Sequence, residues 1–356
     1  MQTNNGQRRR WWRQRFCLPP PGERAVGSAR QPHGRAAIRM HSWSLSIGLY
    51  FAGTSGLLAA APAPTQTQAQ THQIPLTLQG KHPRVQVQIA GIARPLSFVV
   101  DTAAGATVLD LSVAEAAQVI DRAQHDNVIH GAGGSSAAPQ RTRSLDLQTG
   151  SLALKASLMV TDLSALGGKA GTGIDGILGN DILGRFDTRF DLPAGQLALS
   201  PPGTLDTRGC IANALPDRPA MLQRFGIVQA QLQGDTGAPA EALAIIDTGA
   251  AQSVLNTAAV RALGLAEGDA RLRPRATGTR GLGAASVPTW LYTLPSLRIG
   301  TWSHGAGEVR VSDLPVFKVM QLHTRPAVIL GIDLLRDTPV QIPAGARLVC
   351  LGNGNT

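Results

Sequence analysis

The sequence predicts an all-β chain built as two similar lobes joined by a Pro-rich connection. Three observations carry that expectation. Short segments rich in Val, Ile and Leu recur along the chain, mostly close to Gly, Pro or Asn. Helical spacing with a Ser or Thr start is found only at 112–118 and 257–263. The second half of the chain repeats the first in order and spacing.

The expected strands are 85–89, 96–100, 152–160, 196–199, 227–232, 243–246 and 348–351. Some alternate apolar and polar residues, as in Val85-Gln-Val-Gln-Ile89, the pattern of a strand with one buried face. Others, such as Phe98-Val-Val100 and Ala244-Ile-Ile246, are continuously apolar.

The repeat is legible residue by residue. Val85-Gln-Val-Gln-Ile-Ala-Gly91 returns as Val228-Gln-Ala-Gln-Leu-Gln-Gly234, and Ile177-Leu-Gly-Asn-Asp-Ile-Leu183 as Ile329-Leu-Gly-Ile-Asp-Leu-Leu335. Counted from Asp101, the landmarks Gly131, Gly150, Asp162, Gly179 and Gly195 fall at +30, +49, +61, +78 and +94. Counted from Asp247, their counterparts Gly281, Gly300, Asp313, Gly331 and Gly345 fall at +34, +53, +66, +84 and +98. Chance dipeptides do not keep both order and spacing, so the chain is read as a duplication. The lobes are expected at 74–200 and 226–351, with 201–225 as the linker.

The ends read differently. Of the formal net charge of +10, residues 1–61 carry +8, from nine Arg and one acid, Glu23. The remainder is near neutral, which excludes a polyanion binder. Residues 1–39 fit no packed element and are read as an untranslated or disordered basic extension, with Met40 as an alternative start. Residues 40–61 join a basic start to a short apolar stretch and Ala59-Ala60-Ala61, the pattern of a secretory signal. Export to the periplasm or the medium is therefore expected, an uncleaved N-terminal anchor being the alternative. Residues 62–73 read as a flexible lead-in. No stable membrane span is expected, because the apolar stretch is short and interrupted by Gly, Ser and Thr.

The chemistry-bearing residues are few. Cys210 and Cys350 remain once the leader is removed, in a compartment where a disulfide persists, and both the bridge and two separate thiols are open readings. No zinc motif and no G-x-S-x-G is present, so no metal site or cofactor is expected. What stands out is a carboxylate at the end of a buried strand in each half: Asp101 in Val99-Val-Asp-Thr-Ala-Ala104 and Asp247 in Ile245-Ile-Asp-Thr-Gly-Ala250. A third tripeptide, Asp235-Thr-Gly237, follows polar Gln233-Gly234 and reads as a hairpin tip.

With Ile177-Leu-Gly179 and Ile329-Leu-Gly331 later in the same halves, these motifs resemble the aspartic proteases, both pepsin-like and retroviral-like. The resemblance covers roughly 75–351. It implies a bilobal pepsin-like fold of two retropepsin-like β-barrel lobes, with Asp101 and Asp247 as a catalytic pair between them. Two adjacent carboxyls share one proton and titrate as a unit; aspartic proteases are the standard example of such a pair. The implied activity is endopeptidase hydrolysis of a peptide or protein substrate by an activated water. Thr102 and Thr248 are expected to cross-brace the two turns. Gly249 and Ala103 occupy matching positions, and Ala103 departs from the family's usual Gly. Gly131 and Gly133, with Gly281 and Gly283, mark a flap in each lobe or two ordinary hairpins. A flap tyrosine is absent, since Tyr292 is the only Tyr after the leader. In pepsin-like folds the segments holding Cys210 and Cys350 meet beneath the lobes, which favours a bridge between them. One chain supplies both aspartates, so a monomer is expected rather than a homodimer. The alternative function is a peptide-binding or scaffolding protein with weak or lost activity, supported by Ala103 alone.

Overall fold

The structure of the protein is a computed structural model that describes residues 70–125, 128–131, 134–137, 140–166, 173–215, 224–235, 237–279 and 286–352. All lie in one compact unit, 66–356. The expected extension and signal, with most of the lead-in, fall outside the described residues. Among the described residues no helix is long and apolar enough to cross a membrane.

Each half is organised about one central strand that ends at its aspartate. In the first half Leu96–Val100 runs antiparallel to His82–Ile89, with Val85 opposite Phe98. Its other edge is parallel to Gly176–Leu178, with Ile177 opposite Val99. In the second half Ala240–Ile246 pairs antiparallel with Ile227–Gln233, Val228 opposite Ala244, and parallel with Ala327–Leu330, Ile329 opposite Ile245. The short strands Val108–Asp110 and Val254–Leu255 then close on the far side, Val108 opposite Ile177 and Val254 opposite Ile329. Matching residues of the repeat thus meet matching partners in the same register. The two sheets have ten and nine strands, and the chain has the all-β bilobal architecture that the repeat and the resemblance imply.

A strand buried on both faces has no polar side to show, which accounts for the continuous apolar runs. Phe98 and Val100 face the main core, as do Ala244 and Ile246. Val99, between them, joins Val108, Leu163, Ile174 and Ile177 on the opposite face. Ile245 likewise joins Val254, Ile329, Phe317 and Phe225.

A third sheet belongs to both halves. Its order places Asp187–Asp191 beside Val340–Ile342, with Thr188 opposite Ile342 and Phe190 opposite Val340. Gln196–Ser200 and Leu348–Leu351 flank this central pair. One edge begins in the expected lead-in and the other lies in the expected linker. His72–Pro75 pairs with Gln196–Leu199, so the expected lead-in is already a strand at His72. Ile211–Ala212, inside the expected linker, pairs with Leu348–Val349. Beside it Cys210 forms a disulfide with Cys350, closing a sequence separation of 140.

Two local expectations need correction. The expected strand 152–160 is two strands, Leu152–Ala156 and Met159–Thr161, which pair with different neighbours. The break is held by Thr142, whose Oγ1 accepts from Leu158 N and whose carbonyl accepts from Ser157 Oγ. The two expected helices run Leu111–Ala116 and Thr257–Ala262, capped not by Ser or Thr but by Asp110 and Asn256, which accept from Ser112 N and Ala259 N.

Candidate active site

Each aspartate is delivered by the parallel pairing of its own half. The Asp101 N–H donates to Leu178 O at 3.1 Å, and the Asp247 N–H donates to Leu330 O at 3.0 Å. The chain then turns, and the carboxylate holds the turn. Asp101 Oδ1 accepts from Ala103 N at 2.8 Å. Asp247 Oδ1 accepts from Gly249 N at 3.0 Å and from Ala250 N at 2.9 Å. Locally this is the ordinary turn chemistry of Asp. Its setting is not ordinary, because each turn is locked from behind by the Ile-Leu-Gly segment. Asn180 N donates to Ala104 O at 2.8 Å, and Ile332 N donates to Ala250 O at 2.9 Å. A Cβ at Gly179 would stand 2.4 Å from Ala106 O, and one at Gly331 would stand 2.7 Å from Ala250 O. Only glycine lets the backbones approach so closely.

Thr102 and Thr248 join the two turns through four bonds. Thr102 Oγ1 donates to Ile246 O at 2.8 Å and accepts from Thr248 N at 3.1 Å. Thr248 Oγ1 donates to Val100 O at 2.8 Å and accepts from Thr102 N at 3.2 Å. Both residues are buried, at 1% and 0% exposure, so these bonds stand in place of water for their hydroxyls and N–H groups. A hydroxyl at each position is required for this exchange, since it must donate and accept at once.

The result is one carboxyl from each half, close enough for each to shift the other's titration. Both retain some exposure but are ringed by protein. Burial raises Asp247 well above the usual carboxylate range, and the charge of Asp101 adds to this. Burial also raises Asp101, against the pull of the Ala103 and Ala104 N–H groups and of its bond with Asp247. Two carboxyls so placed do not both ionise cheaply, and the pair titrates as a unit.

A second tier of residues, missed in the sequence, repeats in both halves. Thr107 Oγ1 donates to Asp181 Oδ1 at 2.6 Å and accepts from Gly179 N at 3.1 Å. Ser253 Oγ donates to Asp333 Oδ1 at 2.7 Å and accepts from Gly331 N at 2.9 Å. The signal is present in the sequence: Ile-Leu-Gly-x-Asp stands in both halves. Asn180 adds a bond to Thr102 O in the first half alone. His82, also missed, reaches across to Gly249 O at 3.0 Å.

The remaining expected site residues are placed unevenly. Ala103 keeps its N–H on Asp101, and its methyl packs against the apolar cluster that contains Phe225. At the matching position, a Cβ on Gly249 would stand 2.3 Å from Asp101 Cγ. Gly131 pairs with Gly134 in a hairpin of Val128–Gly131 with Gly134–Ala137. Gly133 lies outside the described residues, as do Gly281 and Gly283; on either side of the latter pair, Thr279 and Val287 form an antiparallel bridge. Tyr292 is buried and its hydroxyl donates to Asp235, which also pairs with Arg271. Burial, with the Asp235 charge beside it, pushes that phenol up to about 12. Asp235 sits in the connection between Ile227–Gln233 and Ala240–Ile246, as expected of a hairpin.

The family model described as aspartyl protease matches the chain twice, over residues 85–182 and over residues 228–334. No curated protein matches it.

Proposed function

Because the chain belongs to the aspartyl protease family, we propose that it is an endopeptidase in which Asp101 and Asp247 activate one water between them. The observation that carries this reading is the four-bond exchange of Thr102 and Thr248, which presents one carboxyl from each half to the other.

The ionised member of the pair takes a proton from the water as the water oxygen attacks the scissile carbonyl. The protonated member donates to the carbonyl oxygen; the proton taken from the water then passes to the leaving nitrogen as the C–N bond breaks, and the diol returns a proton to the carboxyl that gave one. The turn N–H groups of Ala103, Gly249 and Ala250 hold the carboxyls throughout, so little reorganisation accompanies the reaction. No covalent intermediate and no cofactor enters the scheme. Peptides or proteins are the substrates, and a single chain suffices because it contributes both carboxyls.

The alternative, a peptide-binding protein without activity, rested on Ala103. The retained bond from Ala103 N to Asp101 and the apolar seat of its methyl count against it. Export to an oxidising compartment is part of the proposal, supported by the secretory pattern of 40–61 and by the Cys210–Cys350 bridge.

The test is cleavage of a peptide library by the purified protein across acidic and neutral pH, with and without a statine transition-state inhibitor. Inhibitor-sensitive cleavage that disappears in both Asp101→Asn and Asp247→Asn is expected. Binding of peptides without cleavage would move the reading to the alternative.

A further inference from the structure

His82 takes no part in the chemistry above, yet it spans the two halves at the dyad. It opens the strand His82–Ile89 of the first half, and its Nδ1 lies 3.0 Å from the carbonyl oxygen of Gly249, 167 residues away. A carbonyl oxygen only accepts, so the ring must carry a proton on Nδ1. Burial lowers the ring's pKa, against the opposing pull of its bond to Gly249; Arg84 on the same strand and Lys81 in the turn before it add to the lowering, which favours the neutral ring.

The peptide unit it grips touches both carboxyls. The oxygen belongs to the Gly249–Ala250 peptide, whose N–H is the Ala250 donor to Asp247 Oδ1 at 2.9 Å. Gly249 itself lies against Asp101, with no space for a Cβ. A shift of this one peptide would therefore disturb Asp247 through a hydrogen bond and Asp101 through contact.

The repeat supplies a control within the molecule. The register that matches Val85 to Val228 matches His82 to Phe225. Phe225 approaches the first half's turn, its ring 3.6 Å from where a Cβ of Gly105 would stand, and it shares an apolar cluster with Ala103. One turn is thus held by apolar packing and the other by a hydrogen bond.

We infer that His82 is a positioning residue for the reaction: by holding the Gly249 carbonyl it fixes the second half's turn and, through it, the relative placement of Asp101 and Asp247. This rests on the dyad reading proposed above. The substitution His82→Phe copies the first half's solution and keeps the bulk while removing the donor. A full ångström of misplacement costs roughly 10²-fold in rate, and a partial relaxation costs less. The expected result is a fall in kcat of about tenfold with KM within about twofold. His82→Asn, whose amide nitrogen restores a donor near the position of Nδ1, is expected to recover kcat to within about threefold of the unsubstituted protein.

An unchanged kcat in His82→Phe, or an Asn variant as impaired as the Phe variant, would overturn the assignment. A measurement independent of activity is the ¹⁵N spectrum of the imidazoles. The neutral His82 ring should be the Nδ1–H tautomer, and an Nε2–H tautomer would mean the bond to Gly249 does not exist. Asp247→Asn assayed in parallel separates the two levels of inference. If that variant still cleaves, the dyad itself is wrong and the role of His82 falls with it. If it is inactive while His82→Phe is unimpaired, only the role of His82 fails.

Discussion

Gly249 passes so close to Asp101 that a methyl group built on it would stand 2.3 Å from Asp101 Cγ and 2.4 Å from Oδ2. The matching position of the other half carries that methyl already, as Ala103, and seats it among apolar side chains. The two substitutions Gly249→Ala and Ala103→Gly are therefore unequal. The first must displace the Asp101 carboxyl, and on the proposed mechanism kcat/KM is expected to fall by about 10²-fold or more. The second removes no contact with the dyad, so activity should stay within a few-fold. It should cost about 0.5–1 kcal/mol of stability through the freer unfolded chain. Steady-state kinetics with a denaturant titration decide both, and equal losses in the two variants would contradict the asymmetry.

The threonine exchange makes a prediction about folding energy. Thr248→Val leaves Thr102 N–H and Val100 O buried without their partner, a loss of about 1–3 kcal/mol for each unsatisfied group. Thr102→Val does the same to Thr248 N–H and Ile246 O. The two hydroxyls hold the same pair of turns, and once one is lost the turns can relax and weaken the bonds of the other, so the double variant should lose less than the sum of the singles. Thr→Ser at either site keeps the hydroxyl and should be far milder. Chemical denaturation of the five proteins measures this; strict additivity would mean that the bonds do not act as a unit.

The dyad should also destabilise the fold at neutral pH. Asp247 is raised well above the 3.8 of an unperturbed aspartate. Through the window from 3.8 up to its raised value, the folded state binds more protons than the unfolded chain, and stability falls as pH rises. Asp247→Asn stays neutral and escapes this. Its Tm should exceed that of the unsubstituted protein at neutral pH, and the two should converge at acid pH, where the unfolded carboxyl is protonated too. Calorimetry at several pH values tests it. A variant no more stable than its parent at neutral pH would show that Asp247 is not strained there.

Activity itself should follow a bell-shaped pH profile whose limbs belong to the pair. Asp101→Asn and Asp247→Asn should each abolish nearly all cleavage, and the double variant should be little worse than either. Asp235→Asn is the control. Its carboxyl is occupied by Arg271 and Tyr292, so the substitution should leave kcat/KM unchanged. Substantial cleavage by Asp247→Asn would place the chemistry elsewhere.

The Cys210–Cys350 bridge closes a loop of 140 residues. The chain-entropy model assigns such a loop a stabilisation of about 5 kcal/mol. Cys350→Ser should lower Tm strongly while leaving kcat intact below the transition, because the bridge joins the shared sheet and touches neither turn. Thiol titration of the unreduced protein in denaturant should find neither cysteine free.

The sequence revealed the aspartates because their signal is local and doubled: an apolar run, then Asp-Thr, at matching places in a repeat. It concealed features whose cause is distant. His82 is an ordinary residue until the chain brings Gly249 to it from 167 positions away. The central strand of the shared sheet, Asp187-Thr-Arg-Phe-Asp191, looks too polar to be buried. Asp187 is nevertheless buried, satisfied by the N–H groups of Thr204, Leu205 and Ala344, donors that no nearby pattern announces. The helices Asn180–Leu183 and Ile332–Leu335 escaped for another reason, since four residues are too few to display a helical period.

The shared sheet also bears on what would follow if the chain were cut at its connection. In the intact protein Asp187–Asp191 is paired on both sides, by Gln196–Ser200 and by Val340–Ile342. A first half alone would lose the second partner and expose a row of open backbone donors and acceptors. The nearest complementary strand in solution would then be the same strand of another copy, since open sheet edges recruit one another. Severed halves should therefore not persist as small soluble units. They should self-associate edge to edge, and restoring the opposite half in trans should disperse the aggregate by offering the native edge in place of the identical one.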